Sequence, residues 1–90
     1  MNKINAYIGF AIKSRSVVYG TDNILTSKGC KLIVVSNKLS INALQKLQSK
    51  NIQIITLPEN DYTQLNLKGL AVGITDKSLA EAIQKHFIAQ

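Results

Sequence analysis

The sequence has few of the residues that build disulfides, metal sites and aromatic cores. Its 90 residues include one cysteine, one histidine, one proline and no tryptophan. The single cysteine, Cys30, excludes an internal disulfide, and with His86 as the one histidine the usual zinc ligand sets are not available. No apolar run reaches the ~18 residues of a membrane span, and the polar residues of MNKINAYIGFAIKSR do not fit a signal peptide. We expect a chain that has no metal and stays in the reducing cytoplasm.

Patterns for phosphate cradles and nucleophilic catalysis are also missing. The sequence has no G-x-x-x-x-G-K-[ST] loop, no G-x-G-x-x-G turn and no serine in a nucleophile-elbow pattern. Nothing pairs Cys30 or His86 with a base or an orienting group. Cys30 is therefore interpreted as a small buried hydrophobe, and we expect neither enzymatic activity nor a cofactor.

Positive charge is the largest compositional bias. Eleven basic residues against five acidic ones give a net charge of +6. Within residues 1–38, Asp22 is the one acid facing six cations, which are Lys3, Lys13, Arg15, Lys28, Lys31 and Lys38. Such a balance suits a polyanionic partner such as RNA, DNA or an anionic membrane surface. The alternative is that the charge serves solubility.

Helices alternate with short strands along the whole chain. The spacing of apolar residues predicts helices over 2–14 and 21–27, after Ser40 and after Thr75 or Asp76, and strands over 16–19, 31–36, 52–56 and 69–74. Gly29 is expected to end the second helix, an exposed loop is expected over 57–61, and a helical turn over 62–67.

The string KLIVVS, residues 31–36, is typical of a strand buried on both faces at the centre of an α/β sheet. Ile33 and Val35 are therefore expected in the core. Together, these elements predict one domain, residues 1–90, with a three-layer α/β/α sandwich around a central, mixed sheet of about four strands.

We interpret VVYGTDNILTSK, residues 17–28, as the stretch around which the chain is organised. A β-branched and aromatic strand meets Gly20, and Thr21 and Asp22 then start a helix. Free backbone N–H groups at a helix start favour an anionic partner, and a glycine lets that partner approach closely. The alternative is a plain strand-to-helix turn that binds nothing.

Three strings resemble one known family. IGFAIKSRSVVYG (8–20), KLIVVS (31–36) and GLAVGITDKSLAEAI (69–83) are similar, in this order, to the small bacterial YlxQ-type members of the kink-turn RNA-binding ribosomal protein family, the L-seven-Ae family. The resemblance covers nearly the whole chain. It implies a small α/β/α sandwich, binding to kinked RNA in ribosomal or ribonucleoprotein settings, and no catalysis.

The family resemblance also implies two RNA-binding segments. The family's Gly-x-Asn-Glu motif matches Gly20, Thr21, Asp22 and Asn23, and its following lysine falls at Thr26. An apolar loop after the third strand, here Leu57-Pro58-Glu59, would pack on an unstacked base. Asp22 in place of an amide, Asn23 in place of a carboxylate and Thr26 in place of a cation depart from the pattern, so RNA binding is better supported than kink-turn specificity.

The combined hypothesis is a cytoplasmic, monomeric RNA-binding domain that recognises structured, kink-turn-like RNA and does not bind membranes. In this hypothesis Lys13, Arg15, Lys28 and Lys31 neutralise the RNA backbone, residues 20–23 read non-canonical pairs, and Leu57 and Pro58 pack on a base. The alternative is a protein-interaction or scaffold module on the same fold. The positions of the four cations discriminate, because cations scattered over different faces would weaken the RNA hypothesis.

Overall fold

The computed structural model of the chain describes residues 3–58, Tyr62 and residues 69–89. Within these residues the chain forms four helices and four strands: α1 (Lys3–Lys13), β1 (Val17–Tyr19), α2 (Thr21–Thr26), β2 (Leu32–Ser36), α3 (Ile41–Gln48), β3 (Ile54–Leu57), β4 (Ala71–Ile74) and α4 (Lys77–Ala89). The predicted alternation of helices and strands is confirmed.

The four strands form one mixed sheet in the order β1-β4-β2-β3. β4 runs antiparallel to both β1 and β2, whereas β2 and β3 are parallel. The carboxyl ends of β1, β2 and β3 therefore meet the amino end of β4 at the same end of the sheet. This topology decides which loops become neighbours.

The side chains of β2 show the three layers most directly. All five β2 residues are buried, and their side chains alternate between the two faces of the sheet. Leu32 and Val34 pack in a core cluster with residues of α1 and α4, whereas Ile33 and Val35 pack in a second cluster with residues of α2 and α3. The predicted α/β/α sandwich and the burial of Ile33 and Val35 are confirmed.

Capping side chains begin α3 and α4. The Ser40 hydroxyl accepts a hydrogen bond from the Ala43 N–H at 3.2 Å. A carboxylate oxygen of Asp76 accepts from the Leu79 N–H at 2.9 Å. Each cap satisfies one of the free N–H groups of a helix start, and the choice between Thr75 and Asp76 is resolved in favour of Asp76.

The carboxyl end of α2 is held by a lysine that follows α3. The Lys50 ammonium donates to the carbonyl oxygens of Leu25 at 3.0 Å and Ser27 at 2.9 Å. A helix of six residues is too short to be stable alone, so this contact helps fix its position. The expectation that Gly29 ends the helix is wrong, because the chain already becomes extended at Ser27 (φ −74°, ψ 137°).

One glycine of β4 lies at a point of close packing. A Cβ atom added to Gly73 would lie 2.6 Å from the Cys30 Sγ and 3.4 Å from the Ile24 Cγ1. The missing side chain therefore makes room for the Cys30 thiol beneath α2. The burial expected for Cys30 is confirmed.

The third strand begins later than its apolar run predicts. Asn51 still turns the chain with φ 57°, and the parallel register pairs Ile33 with Ile54. The strand therefore ends at Leu57, one residue beyond the predicted end. Of the loop predicted over 57–61, only Pro58 and Leu57 are described, and the helical turn predicted over 62–67 lies outside the described residues apart from Tyr62.

Candidate nucleic-acid interface

The turn that opens α2 lies where β1 ends and β4 begins. The Gly20 N–H donates to the Ala71 carbonyl at 3.1 Å. Gly20 has φ 89° and ψ 147°, a region that is almost closed to other residues. Among the described residues, a Cβ there would have the Asn23 Nδ2 alone within 4 Å, at 4.0 Å. The backbone conformation alone requires glycine here, and the space outside it is open.

The side chains after Gly20 are exposed but anchored locally. The Asn23 Nδ2 donates to the Tyr19 carbonyl at 2.9 Å, which holds the amide against the turn. Asp22 and Asn23 are exposed, and Thr21 is half-buried. The Thr26 hydroxyl donates to the carbonyls of Asp22 and Asn23, each at 3.2 Å. Of these groups, the Asp22 carboxylate and the Asn23 amide are the exposed side chains in the first turn of α2.

The chain around Pro58 reaches the same end of the sheet. The Asn37 N–H donates to the Leu57 carbonyl, and the Ser36 N–H donates to the Leu70 carbonyl, both at 2.9 Å. Pro58 is exposed directly after β3, and Leu70, directly before β4, is 40% exposed. We call this end of the sheet the Gly20 edge; it comprises Gly20–Asn23, Asn37, Pro58 and Leu70.

Leu57 itself is not part of this surface. Its side chain is 6% exposed and packs in the α1/α4 core cluster. The register that pairs Ser36 with Leu57 turns that side chain inward. The hypothesis that Leu57 packs on a base is therefore wrong; Pro58 and Leu70 are the exposed apolar residues, and Glu59 lies outside the described residues.

A buried tyrosine lies beneath the Gly20 edge. The Tyr62 N–H donates to the Pro58 carbonyl at 3.0 Å, and the side chain is 2% exposed. Its hydroxyl has no hydrogen-bond partner among the described residues. Burial, and to a lesser extent the nearby Tyr19, raises the pKa of Tyr62 to about 12. The tyrosine therefore stays protonated well above the ordinary range of the phenol.

The opposite end of the sheet brings other segments together. The Thr75 N–H, after β4, donates to the Ser16 carbonyl at 2.9 Å, and the Lys31 N–H donates to the Ile74 carbonyl at 2.7 Å. The end of α1, the end of β4 and the start of β2 are therefore neighbours, spaced by about 4.8 Å per strand.

Cations collect at this second end. We call it the basic edge; its exposed cations are Lys13, Arg15, Lys28, Lys31 and Lys77. Lys50 adds a half-buried charge beside Ser27, next in sequence to Lys28. Lys31, Lys77 and Glu81 also line a shallow depression of about 320 Å³. No ion pair forms between the five exposed cations and a carboxylate within the part of the chain that the structure describes.

Arg15 occupies a position that usually belongs to glycine. α1 ends with hydrogen bonds from the Ser16 N–H to the Ala11 carbonyl at 2.8 Å and from the Arg15 N–H to the Ile12 carbonyl at 3.1 Å. This pair of bonds is a Schellman motif, in which the residue at Arg15 is left-handed and most often glycine. Arg15 adopts φ 59°, a conformation that costs a residue with a Cβ about 1–2 kcal/mol.

The predicted RNA-binding residues thus fall into two groups. Residues 20–23 and Pro58 share the Gly20 edge, whereas Lys13, Arg15, Lys28 and Lys31 share the basic edge. β2, with five residues, separates the two edges by roughly 15 Å at about 3.3 Å per residue. All four cations follow or end elements at the end of the sheet away from the helix start they were expected to assist, with Lys13 and Arg15 at the end of α1 on one face and Lys28 after α2 on the other.

The sequence did not predict that Leu70 lies at the Gly20 edge or that Lys77 and Lys50 lie at the basic edge. Each reaches its edge through the strand order or through a contact between helices. A signal existed for Lys77 alone, because it follows the predicted cap Asp76 at the end of a predicted strand. The other two depend on which strands are neighbours.

The one histidine contacts a tyrosine, and the described residues hold no cluster of metal-ligating side chains. His86 Nε2 lies 3.2 Å from the Tyr7 hydroxyl, a contact that joins α4 to α1. No group of three or more metal-ligating side chains occurs in the described ranges. None of the helices that the structure describes is long and apolar enough to cross a membrane.

Comparison with known proteins finds a similar solved structure but assigns no family. No protein-family model matches the sequence, and no curated protein matches it. The chain is similar to a solved structure of a protein with unknown function from Bacillus halodurans C, with a TM-score of 0.83 and 14% sequence identity. The similarity covers 98% of this chain and 99% of that chain. At this identity it shows that the fold is shared over the full length.

Proposed function

We propose that this protein is a non-catalytic RNA-binding domain that recognises structured, kink-turn-like RNA in a ribosomal or ribonucleoprotein setting. One observation carries the proposal: two chain segments that the family resemblance implies in RNA binding, residues 20–23 and Pro58, lie at the same end of the sheet. They are more than 30 residues apart in sequence. The three-layer fold agrees with the fold that the resemblance implies.

The Gly20 edge offers base recognition more than charge neutralisation. The Asn23 amide and the Asp22 carboxylate can pair with base edges. Pro58 and Leu70 provide apolar surface for an unstacked base. Asp22 is the one charged residue of the Gly20 edge as defined by its described residues, and Lys38, next in sequence to Asn37, has the opposite sign. This edge is therefore suited to unpaired or non-canonically paired bases and poorly suited to regular duplex, whose bases are hidden behind phosphates.

Asn23→Ala tests the proposed base contact. On a kink-turn RNA the substitution should weaken binding about 5- to 150-fold, the equivalent of about 1–3 kcal/mol for a lost base contact. On an uninterrupted duplex of the same base composition it should change little. Gln45→Ala, which removes an exposed amide from α3, is the matched control and should bind both RNAs like the parent.

The fold of each variant must be checked, because Asn23→Ala also removes the hydrogen bond to Tyr19 and about 0.5–1.5 kcal/mol of stability. Titrations well below the melting temperature separate the two effects. Equal affinity of the parent for both RNAs, with no effect of Asn23→Ala, would contradict the proposal. Binding to neither RNA would favour the protein-interaction alternative.

A further inference from the structure

We propose that the basic edge is a second RNA surface, which binds the phosphate backbone without reading sequence and faces away from the Gly20 edge. The inference rests on the proposed function for the choice of RNA as the nucleic acid. It deepens that function by dividing it, with base recognition at one end of the sheet and phosphate binding at the other.

The density of charge at the basic edge is the first argument. Five exposed cations come from the end of α1, the segment before β2 and the start of α4. Ser16, Thr75 and Lys31 mark successive neighbours in the sheet, so the three strand ends beside Arg15, Lys77 and Lys31 span about 10 Å. A nucleic-acid strand presents one phosphate about every 3.4 Å of helix axis. Several long basic side chains can therefore reach adjacent phosphates together.

The conformation of Arg15 is the second and independent argument. Glycine would fit the end of α1 without strain, yet the chain carries a guanidinium there. Arginine adds nothing to the Schellman hydrogen bonds, which are made by backbone atoms. A planar group with several N–H donors is, however, well matched to phosphate oxygens. Backbone strain at an exposed arginine indicates a use for its side chain.

The nearby acids, Asp76 and Glu81, offset only part of the charge of the five exposed cations. Asp76 is engaged in capping α4 through the Leu79 N–H. Glu81 shares the shallow depression with Lys31 and Lys77 but forms no ion pair among the described residues. Lys50 is already bound to two carbonyls of α2, so it adds charge but is not needed as a phosphate ligand. The exposed ligands proposed for phosphate are thus the five cations of the basic edge.

Two double variants with the same net charge test the location. Arg15→Gln with Lys31→Gln removes two charges from the basic edge, and Lys46→Gln with Lys85→Gln removes two from the exposed sides of α3 and α4. Each lowers the net charge from +6 to +4 by the loss of two cations. Binding to the kink-turn RNA and to the plain duplex is measured between about 50 and 200 mM salt, where phosphate contacts change affinity most visibly.

The basic-edge pair should lose affinity about tenfold or more for both RNAs, and its log–log salt slope should become shallower by about 1.4–1.8, or about 0.7–0.9 per phosphate contact. The control pair should bind within about twofold of the parent, since exposed charges beyond a Debye length of about 8–10 Å act weakly. Equal losses for the two pairs would overturn the inference, because net charge alone would then explain binding.

The two RNAs keep this inference separate from the proposed function. If the basic-edge pair weakens both RNAs while the parent shows no preference for the kink, the phosphate surface stands and base recognition fails. If the parent prefers the kink but the basic-edge pair binds like the parent, the phosphate surface is overturned and base recognition stands. Absence of binding to either RNA by the parent overturns both.

Discussion

The two ends of the sheet differ in whether the backbone conformation explains the residue found there. At the Gly20 edge, Gly20 adopts φ 89° and only glycine fits without strain. At the basic edge, Arg15 adopts φ 59° although glycine would fit better. Backbone conformation alone explains why Gly20 is a glycine, whereas it does not explain why Arg15 is an arginine. Arg15, a non-glycine residue in a left-handed position, is thus more informative about a ligand than Gly20 is.

β1 explains how neighbours in sequence reach opposite ends. Lys13 and Gly20 are seven residues apart, and most of that distance is the turn after α1 and the three-residue strand Val17–Tyr19. An extended strand carries the chain about 3.3 Å per residue, so a short strand is enough to separate them. Proximity in sequence therefore groups residues that the sheet places apart.

Gly20→Ala should have the largest effect on stability at either edge. The methyl group would contact the Asn23 Nδ2 at an unstrained 4.0 Å, so the cost comes from the backbone and should be about 1–3 kcal/mol. Urea unfolding measures it. Gly9→Ala is the control, since a Cβ there meets no atom within 4 Å and a helix interior gains roughly 0.5–1 kcal/mol from the change. A stable Gly20→Ala protein would show that the left-handed turn is not required.

Arg15→Gly should act in the opposite direction on stability and on binding. Relief of the left-handed strain should stabilise the fold by about 1 kcal/mol, which corresponds to a melting-temperature rise of about 4–8 °C for a domain of this size. RNA affinity should fall, and the salt slope should become shallower by about 0.7–0.9. Calorimetry and RNA titration of the same sample measure both.

An Arg15→Gly protein that gains stability and keeps its RNA affinity would contradict the use proposed for the guanidinium. Arg15→Lys separates charge from shape, because it keeps the charge and the strain but loses the planar donor group. It should leave stability unchanged and lower affinity less than glycine does.

Tyr62→Phe should have the smallest effect at neutral pH and a clear one in alkali. Removing a buried hydroxyl without a partner among the described residues should be neutral or stabilising by up to about 1 kcal/mol. Burial raises the pKa of Tyr62 from 10.0 to about 12. Between these values the unfolded chain loses the proton first, so the free energy of unfolding falls as pH rises. The phenylalanine variant should lack this contribution, which unfolding at pH 9 and pH 11 in parallel would reveal.

The layers of the fold could be predicted because they depend on local patterns. Four aliphatic residues in a row identified β2 as central, and Ser40 and the pair Thr75-Asp76 identified helix starts, since burial and capping are properties of short strings. The end of β3 could not be predicted, because it depends on the parallel register with β2. That register turned Leu57 inward.

Of the candidate site, only the part formed by one continuous segment could be predicted from the sequence. The Gly20 turn is a continuous string, and its open backbone follows from the glycine and the residues after it. Leu70 and the opposition of the two edges follow from the strand order, in which β4 lies between β1 and β2. No string encodes that order directly, since it results from the packing of all four strands.

Because Cys30 packs against Gly73, the rate at which its thiol is labelled can report local opening of the protein. The thiol is buried where β2 begins, against the backbone of β4 and the side chain of Ile24. Cys30 is 7% exposed and packed against Ile24 of α2, so opening of the α2 layer raises its rate of alkylation, and the labelling rate reports how often that opening occurs. With one thiol per chain, the reaction has a single signal and needs no engineered probe. RNA that contacts α2 or its ends would lower the labelling rate, whereas RNA bound away from α2 would leave the rate unchanged.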